Sequence, residues 1–236
     1  MPAAVLFDLG NTLAAYYHAN EFRPILAKSI AAVRDELARR SLCRMPLESA
    51  INAAIAENRE AADYRFAPMI DRLERIFQVP LAADPLLATK VCKRFLEPIF
   101  AVGRVYSDTL PALAQLRGRG VRTAIVSNAP WGSPPEMWRH ELDRLGLSGA
   151  VDAVVLCGDV GWRKPAPVIF KHAAEKVGSL PAECTFVGDD LRWDIEGSAS
   201  VGMRPLLIDR DARHPAYAGE RVTDLHGVLA ALDADA

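Results

Sequence analysis

Four short stretches of the 236-residue chain carry residues able to do chemistry. They read FDLGNTL at 7–13, IVSNA at 125–129, GWRKPAP at 161–167 and FVGDDLRWD at 186–194. Between them they hold Asp8, Ser127, Asn128, Lys164, Asp189, Asp190 and Asp194. Taken singly, each residue has an ordinary explanation: a turn aspartate, a capping serine, a loop lysine before proline, an acid at a helix start. Brought together they do not. Three carboxylates in one crevice repel each other unless a cation neutralises them. A small carboxylate set that leaves room for water and phosphate suits Mg²⁺. An ammonium and a hydroxyl beside it suit the oxygens of a phosphoryl group. The expected chemistry is metal-assisted phosphoryl transfer, with Asp8 as a covalent nucleophile.

Such convergence requires strands that end at one edge of a sheet. Apolar runs occur at 4–7, 121–126, 151–156, 185–187 and 205–208, and the four stretches lie at or just beyond strand ends. Near-continuous apolarity fits strands covered by helices on both faces, as in a parallel sheet. Helical patterns lie between the runs. Leu110, Leu113 and Leu116 precede Gly118 and Gly120. Ser133-Pro134-Pro135-Glu136 has the spelling of a capping box, followed by Trp138, Leu142 and Leu145 and closed by Gly146. The alternation predicts a doubly wound, Rossmann-like α/β core over 1–13 and 106–236. Residues 14–105 differ. Leu26, Ile30, Val33 and Leu37, then Met69, Leu73 and Ile76, then Leu87, Val91 and Phe95 after Asp84-Pro85, step at helical spacing. This stretch predicts about four helices with no strand, inserted between the first and second strands.

Composition narrows the function. Half the residues are hydrophobic, a quarter are charged and the net charge is −2. That gives no electrostatic reason to expect nucleic acid or a membrane surface as partner. The four cysteines, at 43, 92, 157 and 184, form no CxxC pair, so neither a zinc site nor a disulfide framework is indicated. No apolar stretch reaches the ~20 residues of a membrane span, and the start lacks the basic region of a signal peptide. The expectation is a soluble cytoplasmic protein, monomer or homodimer, acting on a small molecule.

In order and spelling the four stretches resemble the haloacid dehalogenase-like (HAD) superfamily, from Val5 to about Ile208. The helical insertion looks like that superfamily's type 1 cap. The resemblance implies an Asp8 that becomes an aspartyl phosphate, a Ser127 that holds a phosphoryl oxygen and a Lys164 that balances charge. It implies Mg²⁺ on Asp8, Asp189 and the Gly10 carbonyl, with Asp194 positioning a metal-bound water or Lys164 and Asp190 further out. Asn11, Thr12 and Asn128 complete the expected substrate contacts.

The departure is Gly10. HAD phosphatases carry there a second aspartate that protonates the leaving group. Glycine keeps the carbonyl and loses the acid, which contributes typically ~10²–10⁴-fold. Asn11, Tyr16, Tyr17 and His18 are the nearest polar substitutes, and His18 alone has an ordinary pKa near neutrality. The loss leaves rival readings. A 2-haloacid dehalogenase needs no acid, but its relatives have tyrosine at this position and lack the acidic metal ligand kept here as Asp189. A phosphonoacetaldehyde hydrolase would need a cap lysine from among Lys28, Lys90 and Lys93. A catalytically silent binding protein is the third.

Overall fold

The computed structural model describes residues 2–59 and 61–234. The chain begins with β1 (Ala4–Phe7) and β2 (Ala14–Ala15), then four helices, α1 (Phe22–Arg39), α2 (Leu47–Glu57), α3 (Met69–Phe77) and α4 (Pro85–Phe100). β3 (Arg104–Val105) and α5 (Thr109–Gly118) lead to β4 (Arg122–Ser127), α6 (Pro135–Arg144), β5 (Ala153–Leu156), α7 (Cys157–Val160) and α8 (Pro167–Lys176). β6 (Cys184–Gly188), a π-helical turn (Leu191–Glu196), α9 (Gly197–Ala199), β7 (Arg204–Ile208), β8 (Arg221–Val222) and α10 (Leu225–Asp233) complete it.

Six strands form one parallel sheet in the order β5-β4-β1-β6-β7-β8. All four residues of β1 are buried, as expected for a central strand covered on both faces. The chain runs outward from β1 through β4 and β5, then returns to its other side for β6, β7 and β8. The strand order therefore reverses around β1, and a crevice opens at the carboxyl ends there. This is the α/β architecture the sequence implies. The last strand, β8, was not foreseen; two residues are too few for an apolar run to signal.

The helical insertion keeps its predicted faces. α1 buries Leu26, Ile30, Val33 and Leu37, and α4 buries Leu87, Val91 and Phe95. Asp84 caps α4 by accepting from the Leu86 and Leu87 N–H groups at 3.1 and 3.0 Å, with Pro85 at the first position where its missing N–H costs nothing. The expectation of no strand within 14–105 needs correcting. β2 and β3 pair antiparallel, Ala14 with Val105 and Ala15 with Arg104, where the chain leaves and re-enters the core. A two-residue ribbon has no room for a period of two, so its pattern was invisible. At its far side the insertion is clasped to the core: Phe66 N–H donates to the Gly161 carbonyl at 2.9 Å and Arg163 N–H to the Tyr64 carbonyl at 2.8 Å.

The capping box at Ser133 also fails. Pro134 is extended and α6 starts at Pro135. The Ser133 hydroxyl instead donates to the Pro130 carbonyl and accepts from the Trp138 indole N–H at 2.7 Å. Among the described residues no helix is long and apolar enough to cross a membrane.

Candidate active site

Asp8 follows β1 directly. Its N–H donates to the Val187 carbonyl of neighbouring β6 at 2.9 Å, so the sheet itself fixes its height. Ser127 ends β4, Asp189 and Asp190 follow β6, and Lys164 arrives on the loop before α8. Asp194 comes from the π-helical turn, whose N-terminal N–H groups, of Arg192 and Trp193, are accepted by the Asp190 carboxylate at 2.9 and 2.8 Å. Asp190 thus shapes the turn that delivers Asp194. Gly188 makes room: a Cβ there would lie 2.4 Å from Asp194 Cγ.

At the centre is the Lys164 ammonium, 2% exposed, donating to Asp8 Oδ1 at 2.5 Å and Asp194 Oδ1 at 2.7 Å. Asn128 aligns the Lys164 main chain from both sides. Its Nδ2 donates to the Lys164 carbonyl at 3.0 Å, and its Oδ1 accepts the Lys164 N–H at 2.8 Å. Asp8, Asp189 and Asp194 each offer one carboxylate oxygen, all within 4.8 Å of one another.

That density of charge shows in the acidities. Burial pushes the Asp8 carboxyl above its ordinary value; Lys164 opposes this and Asp189 adds to it. Asp194 rises to about 7 through burial and the Asp8 charge, against the pull of Lys164. Asp189 rises to about 6 through burial and Asp194, against Arg213. Burial works against the Lys164 ammonium, but Asp194 and Asp8 outweigh it and its pKa is raised. Three carboxyls held above the usual range are a site short of positive charge. A hard divalent cation with oxygen ligands fits that deficit.

Arg213 was not foreseen. From the loop between β7 and β8 its Nη2 donates to Asp189 Oδ2 at 2.6 Å. Buried Asp209 sets that loop by accepting the Arg213 and His214 N–H groups at 2.7 and 2.9 Å. Nothing in the sequence near Arg213 marks it; its place depends on the return of β7 beside β6.

These residues line a cavity of about 330 Å³ that also meets Gly10, Tyr16, Tyr17 and Trp138. The Asn11 backbone sits at φ 54. Its side chain ties the loop to the insertion, accepting from Tyr16 N–H and donating to the Tyr17 carbonyl, both at 3.4 Å. Thr12 is fully buried outside the lining, and its carbonyl accepts from Arg210. His18 also lies outside the lining, 3.6 Å from Asp211. Burial raises the pKa of Tyr16, which Glu141 raises further, and that of Tyr17, the latter to about 12, so both phenols stay protonated at neutral pH. Lys28, Lys90 and Lys93 are exposed and none lines the cavity.

A family model for haloacid dehalogenase-like hydrolases matches residues 2–202, and the chain belongs to that family. It is similar to the glyceraldehyde 3-phosphate phosphatase of Methanopyrus kandleri, 30% identical over 89% of this chain and 85% of that one. The ribulose-1,5-bisphosphate 5-phosphatase of Halopiger xanaduensis is 32% identical over the same shares. Among solved structures, a HAD phosphatase from Thermococcus onnurineus superposes with a TM-score of 0.70 at 28% identity over 97% of both chains. The protein is a hydrolase, of the phosphoric monoester class that these relatives represent.

Proposed function

We propose that the protein is a Mg²⁺-dependent phosphatase of small phosphorylated metabolites, working in the cytoplasm through an aspartyl phosphate at Asp8. The observation that carries this reading is Lys164 bridging Asp8 and Asp194 beside Asp189. In it, residues 14–105 form the cap, and 1–13 with 106–236 the catalytic core.

Lys164 keeps the Asp8 carboxylate ionised and turned toward the cavity. Asp8 attacks phosphorus: an Oδ–P bond forms and the bond to the leaving oxygen breaks. The Ser127 hydroxyl, at the rim of the same cavity, donates to a phosphoryl oxygen. With glycine at position 10 the departing oxygen takes its proton from water or leaves as a stabilised anion. Water then attacks phosphorus, the Oδ–P bond breaks, and inorganic phosphate leaves with Asp8 restored as the carboxylate, the water's proton passing to phosphate or solvent. Asp8, Asp189 and the Gly10 carbonyl would hold Mg²⁺, which supplies charge neutralisation of the phosphoryl oxygens.

The relatives' names place glyceraldehyde 3-phosphate and a sugar bisphosphate among the compounds to test first. The test is phosphate release from a metabolite panel with Mg²⁺ and with chelator, for wild type and Asp8→Asn. Metal-dependent release that Asp8→Asn abolishes is expected. Halide release from 2-haloacids in excess chelator would instead establish the dehalogenase reading. The acid lost at Gly10 and the Arg213 guanidinium on Asp189 are the features that favour that rival.

A further inference from the structure

The catalytic cavity has two kinds of wall. One is the group of carboxylates around Lys164. The other is made of Tyr16, Tyr17, Ile99, Pro130 and Trp138. The polar ends of its two hydrogen-bonded rings are spent on the protein. The Tyr16 hydroxyl donates to the Glu141 carboxylate at 3.4 Å, and the Trp138 indole N–H donates to the Ser133 hydroxyl at 2.7 Å. What these rings leave for the cavity is carbon. They meet edge to face at 5.7 Å, and Phe100 backs Trp138 edge to face at 5.0 Å.

The seat of Tyr16 is built rather than incidental. Buried Glu141 is itself held by Arg144, whose Nε and Nη2 each donate to one of its carboxylate oxygens at 2.7 Å. The same Nη2 reaches the Phe100 and Gly103 carbonyls at 3.2 and 3.3 Å. Gly103 makes room for the ring: a Cβ there would lie 2.7 Å from Tyr16 Cε1. The network ties the entry and exit of the insertion to α6, and it holds the ring in one place. The polar side chains of the lining outside the acids are engaged as well. Asn11 holds the Tyr16 N–H and the Tyr17 carbonyl, and Asn128 holds the Lys164 main chain. Arg213 pairs with Asp189, and the Arg163 guanidinium lies 5.6 Å from the Trp193 ring centroid. The hydroxyls of a sugar would exchange water for carbon at this wall, which is unfavourable.

We propose that the preferred substrates are aryl phosphates, whose apolar planar ring rests against Tyr16, Tyr17 and Trp138. The inference rests on the phosphatase reading, in which Asp8 and Ser127 take the phosphoryl end of the molecule. Aromatic rings in edge-to-face or offset contact gain beyond the area they bury. The loss at Gly10 points the same way, because a phenolate departs with far less need of a proton than an alkoxide does. In this respect the chain parts from the sugar phosphates in its relatives' names.

Phosphonates, which the enzyme cannot cleave, separate the wall from the leaving group. Benzylphosphonate stands in for phenyl phosphate, cyclohexylmethylphosphonate for its saturated counterpart, and 3,4-dihydroxybutylphosphonate for glycerol 3-phosphate. Each is run as a competitive inhibitor of 4-nitrophenyl phosphate hydrolysis with Mg²⁺ present. Benzylphosphonate should have a Ki about three- to tenfold below the cyclohexyl compound and about tenfold or more below the diol. Tyr16→Leu and Tyr17→Leu should shrink both ratios. Tyr17→Leu leaves the Tyr16–Glu141 contact in place, so it stays informative if the other variant fails to fold. Equal Ki values, a preference for the diol, or ratios unchanged in the folded variants overturn the inference and leave the phosphatase standing. If no phosphate ester is hydrolysed, the phosphatase reading falls, and calorimetry with the same three phosphonates decides the wall. The same order of affinities upholds it, and equal or absent binding removes it.

Discussion

Restoring aspartate at position 10 is the sharpest test of how this site works. The backbone permits it: Gly10 lies outside the left-handed region, and a Cβ built there meets nothing within 4 Å. The new carboxyl would enter the cavity that Asp8, Asp189 and Asp194 line, where burial and like charge raise those three acids. The same burial would push a Gly10→Asp carboxyl upward, toward the protonated state a general acid needs. A positioned acid contributes typically ~10²–10⁴-fold, or about 3–5 kcal/mol of barrier. Added charge repulsion is offset in part by the smaller entropy of the unfolded chain, roughly 0.4–1 kcal/mol when glycine is replaced. The assay is steady-state kcat/KM on aryl and alkyl phosphates, with Mg²⁺ binding and thermal unfolding as controls. Wild type should depend steeply on leaving-group pKa. Gly10→Asp should accelerate alkyl esters by about 10²-fold and aryl esters little. A folded, metal-binding variant with no gain, beside a wild type indifferent to the leaving group, would refute the reasoning. Tyr17, whose phenol stays protonated at the cavity wall, would then be the first residue to replace.

Three further outcomes follow from the charges. Lys164→Met strands two buried carboxylates, and breaking a buried pair typically costs about 3–5 kcal/mol; denaturant unfolding at pH 8 should show a loss of that order, smaller at pH 5 where the acids are protonated. Arg213→Met removes a competing cation from Asp189, so Mg²⁺ affinity by calorimetry should rise about three- to tenfold, discounted for the exposure of the side chain; a weaker affinity would mean that Arg213 orients Asp189 for the metal. In metal-free protein the folded pKa values of Asp189 and Asp194, about 6 and about 7, exceed the unfolded value of about 3.9. The native state then binds more protons between those limits, so stability should fall as pH rises from about 4 to about 7. Saturating Mg²⁺ should remove that slope, and a melting temperature that climbs over the same range would show the carboxyls are not raised.

Most directly legible in the sequence was what hangs on a strand, while Lys164 and Asp194 were reached only through the spelling of their motifs. Asp8 and Ser127 stand one place beyond an apolar run and Asp189 two, so locating the run located the residue. Helical periods were legible wherever a face is buried, as along α1 and α4. What escaped depends on geometry between distant segments. The Ser133 spelling was right for a cap, but two prolines delay the helix and the Trp138 N–H takes the hydroxyl. β2, β3 and β8 are two residues each, below the length at which a period exists.

Arg213 belongs to the same class of hidden feature, and it bears on why Gly10 alone could not decide the function. Viewed as a motif, a glycine in place of an acid is a subtraction. In the folded protein the same cavity holds an addition that no motif records, a guanidinium on Asp189.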